Sequence, residues 1–478
     1  MTPIGLFGVV AFLFAATRGV RACLALVILT LPFGATAAIT AGPMTLLMAH
    51  MLGLLFAGTV VLRWISHGAE TSGLRLHPAM LLLGALTAWG AVSGYALPRL
   101  LAGEVMVVPA NMGEGMFGVD PEFGTYVRPL APSSGNVSQV TKSAIVLVVF
   151  VSALAVLARP PLDGLRRLVI GVTVMHASLT LAQLAFGSTF SSFVHTADYV
   201  IHAEQTFAGM RRVIGGFAEP SSHGGFSVAL YGYFLASMLN GGCRSDTAWA
   251  GLTALLCLVS LSSTAIAVFV VVSGVGVFAV SLQLVRGRLR ASTATSLIVG
   301  GSMLAALFVL AGGVGIAATV VDGLLLSKAG SASGLERGYW ARHGFDVFWQ
   351  TSSLGAGMGS VRSNGLFAAI AGNLGLPGLV LSVGFLALVL MPRPSRSPVM
   401  ATENATFHGL RGAVASMVCA ASLSATGAGL GLGLVLFCAL LVAARRTLMG
   451  QNSREVTRTV SPGATAAPGA IGTASSVA

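Results

Sequence analysis

An all-α polytopic bundle of twelve or thirteen transmembrane helices is the fold this sequence predicts, on three observations. Of the 478 residues, 55% are hydrophobic and only 9% are charged, too little charge for a soluble chain of this length. The apolar residues fall in blocks rather than in an alternating or helical period, and blocks of roughly 18–25 residues match a membrane-crossing helix. The arginines fall between the blocks, as cytoplasmic connectors do under the positive-inside rule. Backbone groups in lipid must bond within their own segment, so helices are the expected form.

The blocks predict spans at 4–17, 22–41, 44–62, 79–97, 143–158, 168–187, 224–240, 248–261, 264–284, 293–320, 365–391, 412–425 and 428–444. The first is short for a bilayer core of about 30 Å, which leaves the count at twelve or thirteen. The connectors "RGVR", "RWISHGAETSGLRLH", "RPPLDGLRR", "CRSD", "RGRLR" and "RPSR", with the tail that opens "RR", should face the cytoplasm. Three longer loops, 98–142, 188–223 and 322–364, then lie outside, in a bacterial chain the periplasm, and hold ten of the fifteen acidic residues. The integral domain covers 1–448. The remaining 449–478 is rich in Ala, Gly, Ser, Thr and Pro and is expected to be a disordered cytoplasmic tail.

Composition also excludes classes. The net charge is +12, yet lysine is confined to Lys142 and Lys328, and the arginines sit in connectors rather than in a patch that could follow nucleic acid. The five cysteines (Cys23, Cys243, Cys257, Cys419 and Cys438) lie in or beside apolar blocks without metal-ligand spacing, and read as small hydrophobes. The first block ends at "RGVR" with another span following, so it reads as retained rather than cleaved. Inside the spans the polar exceptions are His50, His176, Gln183 and Asn373. Ion-coupled transporters keep ionisable groups at that depth. Here they are concentrated in the outer loops, which points to a reaction at the outer face.

Loop 188–223 carries His195, Asp198, His202, Glu204, Arg211, Arg212, Glu219 and His223. Loop 322–364 carries Lys328, Glu336, Arg337, Arg342, His343, Asp346 and Arg362. A guanidinium offers a planar fork of donors that matches phosphate oxygens and stays charged at any working pH. Two such loops facing each other would cradle a pyrophosphate; the alternative for any one arginine is a solvated loop charge or a membrane anchor. The glycines of "GAGMGS" follow no strand and precede no Gly-Lys-Ser/Thr, so they are read as a tight turn rather than a nucleotide loop.

The stretch "RVIGGFAEPSSHGGFSVALYGYF" has the form R-x-x-G-x-F-x-x-P leading into a span. In order along the chain, "LPFGATAAI", "SSGNVSQV", "SLSSTAIAVFV", "ERGYWARHGFDVFWQTSSLGAGMGSVRSNG" and "NLGLPGLV" accompany it. Together these segments, from about residue 30 to 390, resemble the bacterial O-antigen ligase and polysaccharide polymerase superfamily. The resemblance implies glycan transfer from undecaprenyl pyrophosphate at the periplasmic face of the inner membrane, without cofactor, nucleotide sugar or metal ion. It implies as partners the lipid-linked oligosaccharide, the bilayer and a chain-length regulator of polysaccharide assembly.

On that pattern Arg212 matches the arginine of the G-x-F-x-x-P loop, and Arg337 the arginine that opens the large loop. Arg211, Arg342 and Arg362 would be secondary donors. The ligase branch places a histidine just before the G-x-x-G helix, here Gly375 to Gly378, where this chain reads "SVRSNGLF". That departure favours a polymerase over a ligase. Glu219 is then the candidate general base, with His223 and His343 as alternatives; an ion pair with Arg211 or Arg212 is the other reading of Glu219. A polysaccharide exporter or flippase, with the charged loops as its gate, is the rival of another class.

Overall fold

The computed structural model describes residues 1–41, 44–67, 76–110, 127–158, 160–197, 206–207, 210–287, 331–391 and 401–460. The expected span 293–320 lies outside the described residues, as do Asp198, His202, Glu204 and Lys328.

Helices α1 (Pro3–Thr17) and α2 (Val20–Leu29) lead to a hairpin of β1 (Ala37–Ala41) and β2 (Met44–Leu47). Then come α3 (Met48–His67), α4 (Pro78–Leu100) and a short ladder of β3 (Met106–Val107) with β4 (Arg128–Pro129). After α5 (Ser134–Val156) and α6 (Leu162–Val194), a second ladder pairs β5 (Thr206–Phe207) with β6 (Met210–Arg211). The chain continues through α7 (Pro220–Leu239), α8 (Ser245–Val259), α9 (Ser263–Val285) and α10 (Ala332–Gln350). It ends in α11 (Leu366–Leu390), α12 (Ala401–Ser424) and α13 (Leu432–Val460).

Seven of these helices (α3, α4, α5, α6, α9, α11 and α13) are long and apolar enough to cross a membrane, and α1, α2 and α8 are apolar but only 10–17 residues long. Helices α7 and α12 fall short of that apolarity because each opens on polar residues, 220–225 and 401–412. Both are interior. Helix α7 is buried on nearly every side, as expected of a helix at the centre of a bundle. Its Gly232 packs closely on α12: a Cβ there would strike Ser416 Oγ and come within 3.0 Å of the Gly412 carbonyl.

Four expectations need correction. The block 22–41 is not one span: α2 stops at Leu29, and the segment holding Pro32 and Gly34 turns the chain into the β1–β2 hairpin, which the next predicted span, 44–62, overlapped. Helix α5 begins at Ser134, well before 143, because Ser133 and Asn136 form a capping box and the Asn136 amide donates to the Met358 carbonyl at 2.8 Å. The stretch 322–364, expected as an outer loop, contains a helix, since α10 fills 332–350. The tail read as disordered from 449 opens in helix that runs to Val460; residues 461–478 lie outside the described ones.

Helix α11 is interrupted at Gly375 (φ 62°, ψ −157°), two residues before Pro377. The break frees three carbonyls, and each finds a donor. The Gly372 and Asn373 carbonyls accept from Ala356 and Gly357 N–H at 2.8 and 2.9 Å, and that of Leu374 accepts from Trp89 Nε1 at 2.7 Å. The Asn373 side chain does more: its Oδ1 accepts from the N–H groups of Gly359, Ser360 and Val361 at 3.0–3.1 Å. Its Nδ2 donates to the carbonyls of Val361 and Ala369. The "GAGMGS" turn is thus moulded onto α11. Gly355, Gly357 and Gly359 all have positive φ (81°, 94° and 83°), as a tight turn requires.

Candidate functional site

The turn delivers Arg362 to one end of the bundle. Its backbone N–H donates to the Val108 carbonyl at 2.9 Å, and its guanidinium lies 4.5 Å from the centre of the Trp340 ring of α10. Trp340 is one turn along from Glu336 and Arg337, so α10 presents Glu336, Arg337 and Trp340 as one stripe. From the opposite side comes the segment before α7. Its turn is held from three directions. Gln183 Oε1 accepts from Ile214 and Gly215 N–H at 3.0 and 2.7 Å, His195 Nε2 donates to the Gly215 carbonyl, and Ala35 N–H donates to that of Gly216.

Glu219 ends this segment as the N-cap of α7 in extended conformation, and Pro220 at the first helical position presets the helix. The Glu219 carboxylate accepts from Ser221 Oγ at 3.0 Å. It lines a cleft of about 390 Å³ whose other walls include the apolar Phe217, Phe226, Met417 and Leu434.

The electrostatics join the two sides. The half-buried Arg212 guanidinium is held below its ordinary proton affinity by burial and by Arg337, while Glu219 pulls the other way. Burial lowers Arg362 likewise; Glu219 and Glu336 raise it and Arg337 lowers it. Glu219 therefore acts on guanidiniums from two distant chain segments, and Arg337, from a third, repels both. Among the described residues no side-chain hydrogen bond engages Arg337 or Arg362. Guanidinium donors left over on Arg337 and Arg362 are what an anion needs.

The remaining candidates stand elsewhere. Arg342 is exposed, five residues past Arg337 and so on another face of α10. Arg211 lies in β6, adjacent in the chain to Arg212. His343 is buried, stacks on Tyr339 and accepts the Val108 N–H on Nε2 at 3.2 Å, which clamps the segment that also anchors Arg362. His223 is buried in the first turn of α7. Thr180 Oγ1 donates to the His176 carbonyl, so it accepts from His223 Nε2 at 3.0 Å. Ser227 Oγ likewise donates to the His223 carbonyl and accepts from His176 Nε2 at 2.8 Å. In this network both imidazoles donate from Nε2 inside the bundle.

Sequence reasoning missed Trp340, and missed Glu336, Ser221 and Asn373 as parts of this constellation. Reading 332–350 as a helix would have put Glu336, Arg337 and Trp340 on one stripe; nothing local could have tied Asn373 to residues 359–361. The fold and this polar end define a multi-pass, all-α protein with an arginine-rich cluster at one end of its helices. No protein-family model and no curated protein matches the chain.

Proposed function

We propose that the chain is an inner-membrane polysaccharide polymerase that joins undecaprenyl-pyrophosphate-linked repeat units at the periplasmic face. The observation that carries this reading is the gathering of Arg212, Arg337 and Arg362 around Glu219 from segments far apart in sequence. The resemblance of the flanking motifs to the O-antigen ligase and polymerase superfamily supplies the chemistry. An acceptor sugar hydroxyl attacks the anomeric carbon of the donor glycan, and the carbon–oxygen bond to the pyrophosphate breaks with inversion. Glu219 takes the hydroxyl proton, and the arginines stabilise the charge that develops on the leaving pyrophosphate. The apolar walls beside Glu219 suit the lipid that carries it.

The experiment supplies purified protein with lipid-linked repeat units and EDTA, with no nucleotide and no ion gradient. Lengthening of the glycan is the expected result. Transfer to a lipid A core acceptor without lengthening would assign the ligase branch instead. Movement of unaltered substrate across a sealed vesicle, with no lengthening, would make the chain an exporter.

A further inference from the structure

A second cavity, of about 260 Å³, lies among α3, α4, α5, the "GAGMGS" turn and the segment between α12 and α13. Its polar lining is His50, Thr87, Gln139, Lys142 and Ser143, and no aspartate or glutamate lines it. Because α5 begins at Ser134, Lys142 stands inside a membrane-length helix rather than in a loop. An ionisable group at such a position is costly and ordinarily has a partner, yet no ion pair is made to Lys142 among the described residues. His50 Nδ1 is buried with no hydrogen-bond partner. Opposite them, a Cβ added at Gly427 or Gly429 would come within 3.8 Å of Gln139 or Ser143, so these glycines leave that space open. Leu432, where α13 starts, also lines the cavity, so the positive end of that helix faces the same space.

We infer that this cavity is a second anion-binding site, taking a phosphate group borne on an amphiphile, with Lys142 as its counter-charge. Every polar group that lines it can donate a hydrogen bond. The remaining walls, among them Leu83 and Met358, are apolar and fit the first carbons of a lipid stem. At about 260 Å³ the cavity is below the roughly 300–1,000 Å³ of pockets that enclose drug-sized ligands, so it fits a headgroup and no oligosaccharide. It is distinct from the arginine cluster: the cleft beside Glu219 lies across the segment 425–434, and among the described residues that line either space Ala425 alone is common to both.

Lys142 is one of only two lysines, which makes it directly addressable. In the full-length protein in maltoside detergent, acetylation of Lys142 by an N-hydroxysuccinimide ester is followed by mass spectrometry. Dioleoyl phosphatidic acid should slow it about tenfold, the factor expected from a charge-assisted hydrogen bond, and dioleoylglycerol should not. Inorganic phosphate is the second arm. Protection by it too assigns a site satisfied by the free anion, and protection by phosphatidic acid alone assigns a lipid headgroup; either supports the inference. The Arg212→Ala/Arg337→Ala protein should show the same protection, which separates this site from the proposed transferase centre. Equal slowing by dioleoylglycerol, no slowing by either phosphate, or loss of protection in the arginine variant would overturn it.

Discussion

The two ends of the bundle treat arginine in opposite ways. At the end where α6 and α8 begin, Arg166 donates to a fully buried Asp246 at 2.6 Å, and Asp246 also accepts from Ser237 Oγ and Cys243 N–H. Arg445 there donates to the carbonyls of Leu388, Val389 and Met391, closing the C-terminus of α11. These arginines have protein partners and serve as rivets. At the other end Arg337 disfavours the charge on both Arg212 and Arg362, while Glu219 favours both and Glu336 favours that on Arg362. At the first end the arginines fasten helices, through a buried carboxylate and through helix-end carbonyls; at the second, Arg337 and Arg362 keep side-chain donors that no described residue engages.

The largest expected effect breaks that contrast on the functional side. Arg212→Ala or Arg337→Ala should abolish polymer formation while the amount of folded protein stays normal, because each change relieves like-charge repulsion. Lysine at either position should restore little, since a point charge cannot reproduce the guanidinium fork. Full polymer synthesis in both alanine proteins would reduce the cluster to solvated charge.

Orientation is the next test, and a natural probe exists. Cys243, beside Asp246, is the one exposed cysteine of the five. A membrane-impermeant maleimide should leave it unlabelled in intact spheroplasts and label it after permeabilisation. Labelling of intact spheroplasts would put the rivet end outside and the arginine cluster in the cytoplasm.

Asp246→Ala addresses stability. Removing one member of a buried pair strands the other, at a cost of about 3–5 kcal/mol, so a marked fall in thermal midpoint is expected. A midpoint like that of the unaltered protein would show that the two ends do not differ as described. Glu219→Gln keeps the side-chain shape and removes its basicity, so elongation should slow about a hundredfold with binding of the lipid-linked donor retained. An unchanged rate would assign the proton to another acceptor. Arg342→Ala should do least: the residue is exposed, and surface changes of this kind stay within about 0.5 kcal/mol. A loss of activity matching that of Arg337→Ala would bring a second face of α10 into the site.

The helices could be read because burial in lipid writes itself as unbroken apolar blocks. The same signal hid the β1–β2 hairpin, whose strands "AAITA" and "MTLL" are as apolar as a span. It hid the first turns of α5 too, because Asn136 is satisfied by Met358, 222 residues later. At the candidate site, chemistry was legible and adjacency was not. Arginine and glutamate announce anion and proton handling by type, and their flanking motifs named Arg212, Arg337 and Glu219. That Arg362 would rest on Trp340, or that His343 would be occupied by Val108, depends on how α10 faces two distant loops.

The amide of Asn373 fixes the order in which the site can come into being. The turn at 355–361 precedes in the chain the side chain that shapes it, and Gly365 N–H and Ser363 N–H wait for the carbonyls of Ala425 and Thr426. While the protein emerges from the ribosome, Arg362 is synthesised before Asn373 and before the 425–426 carbonyls that hold the turn and the residues following it. The first half of α11 must enter the membrane and α12 must return across the bundle before Arg362 reaches Trp340. A chain truncated before residue 425 should therefore insert most of its helices and still lack an assembled centre, so that competence arrives only once the segment from Ala425 onward follows α12.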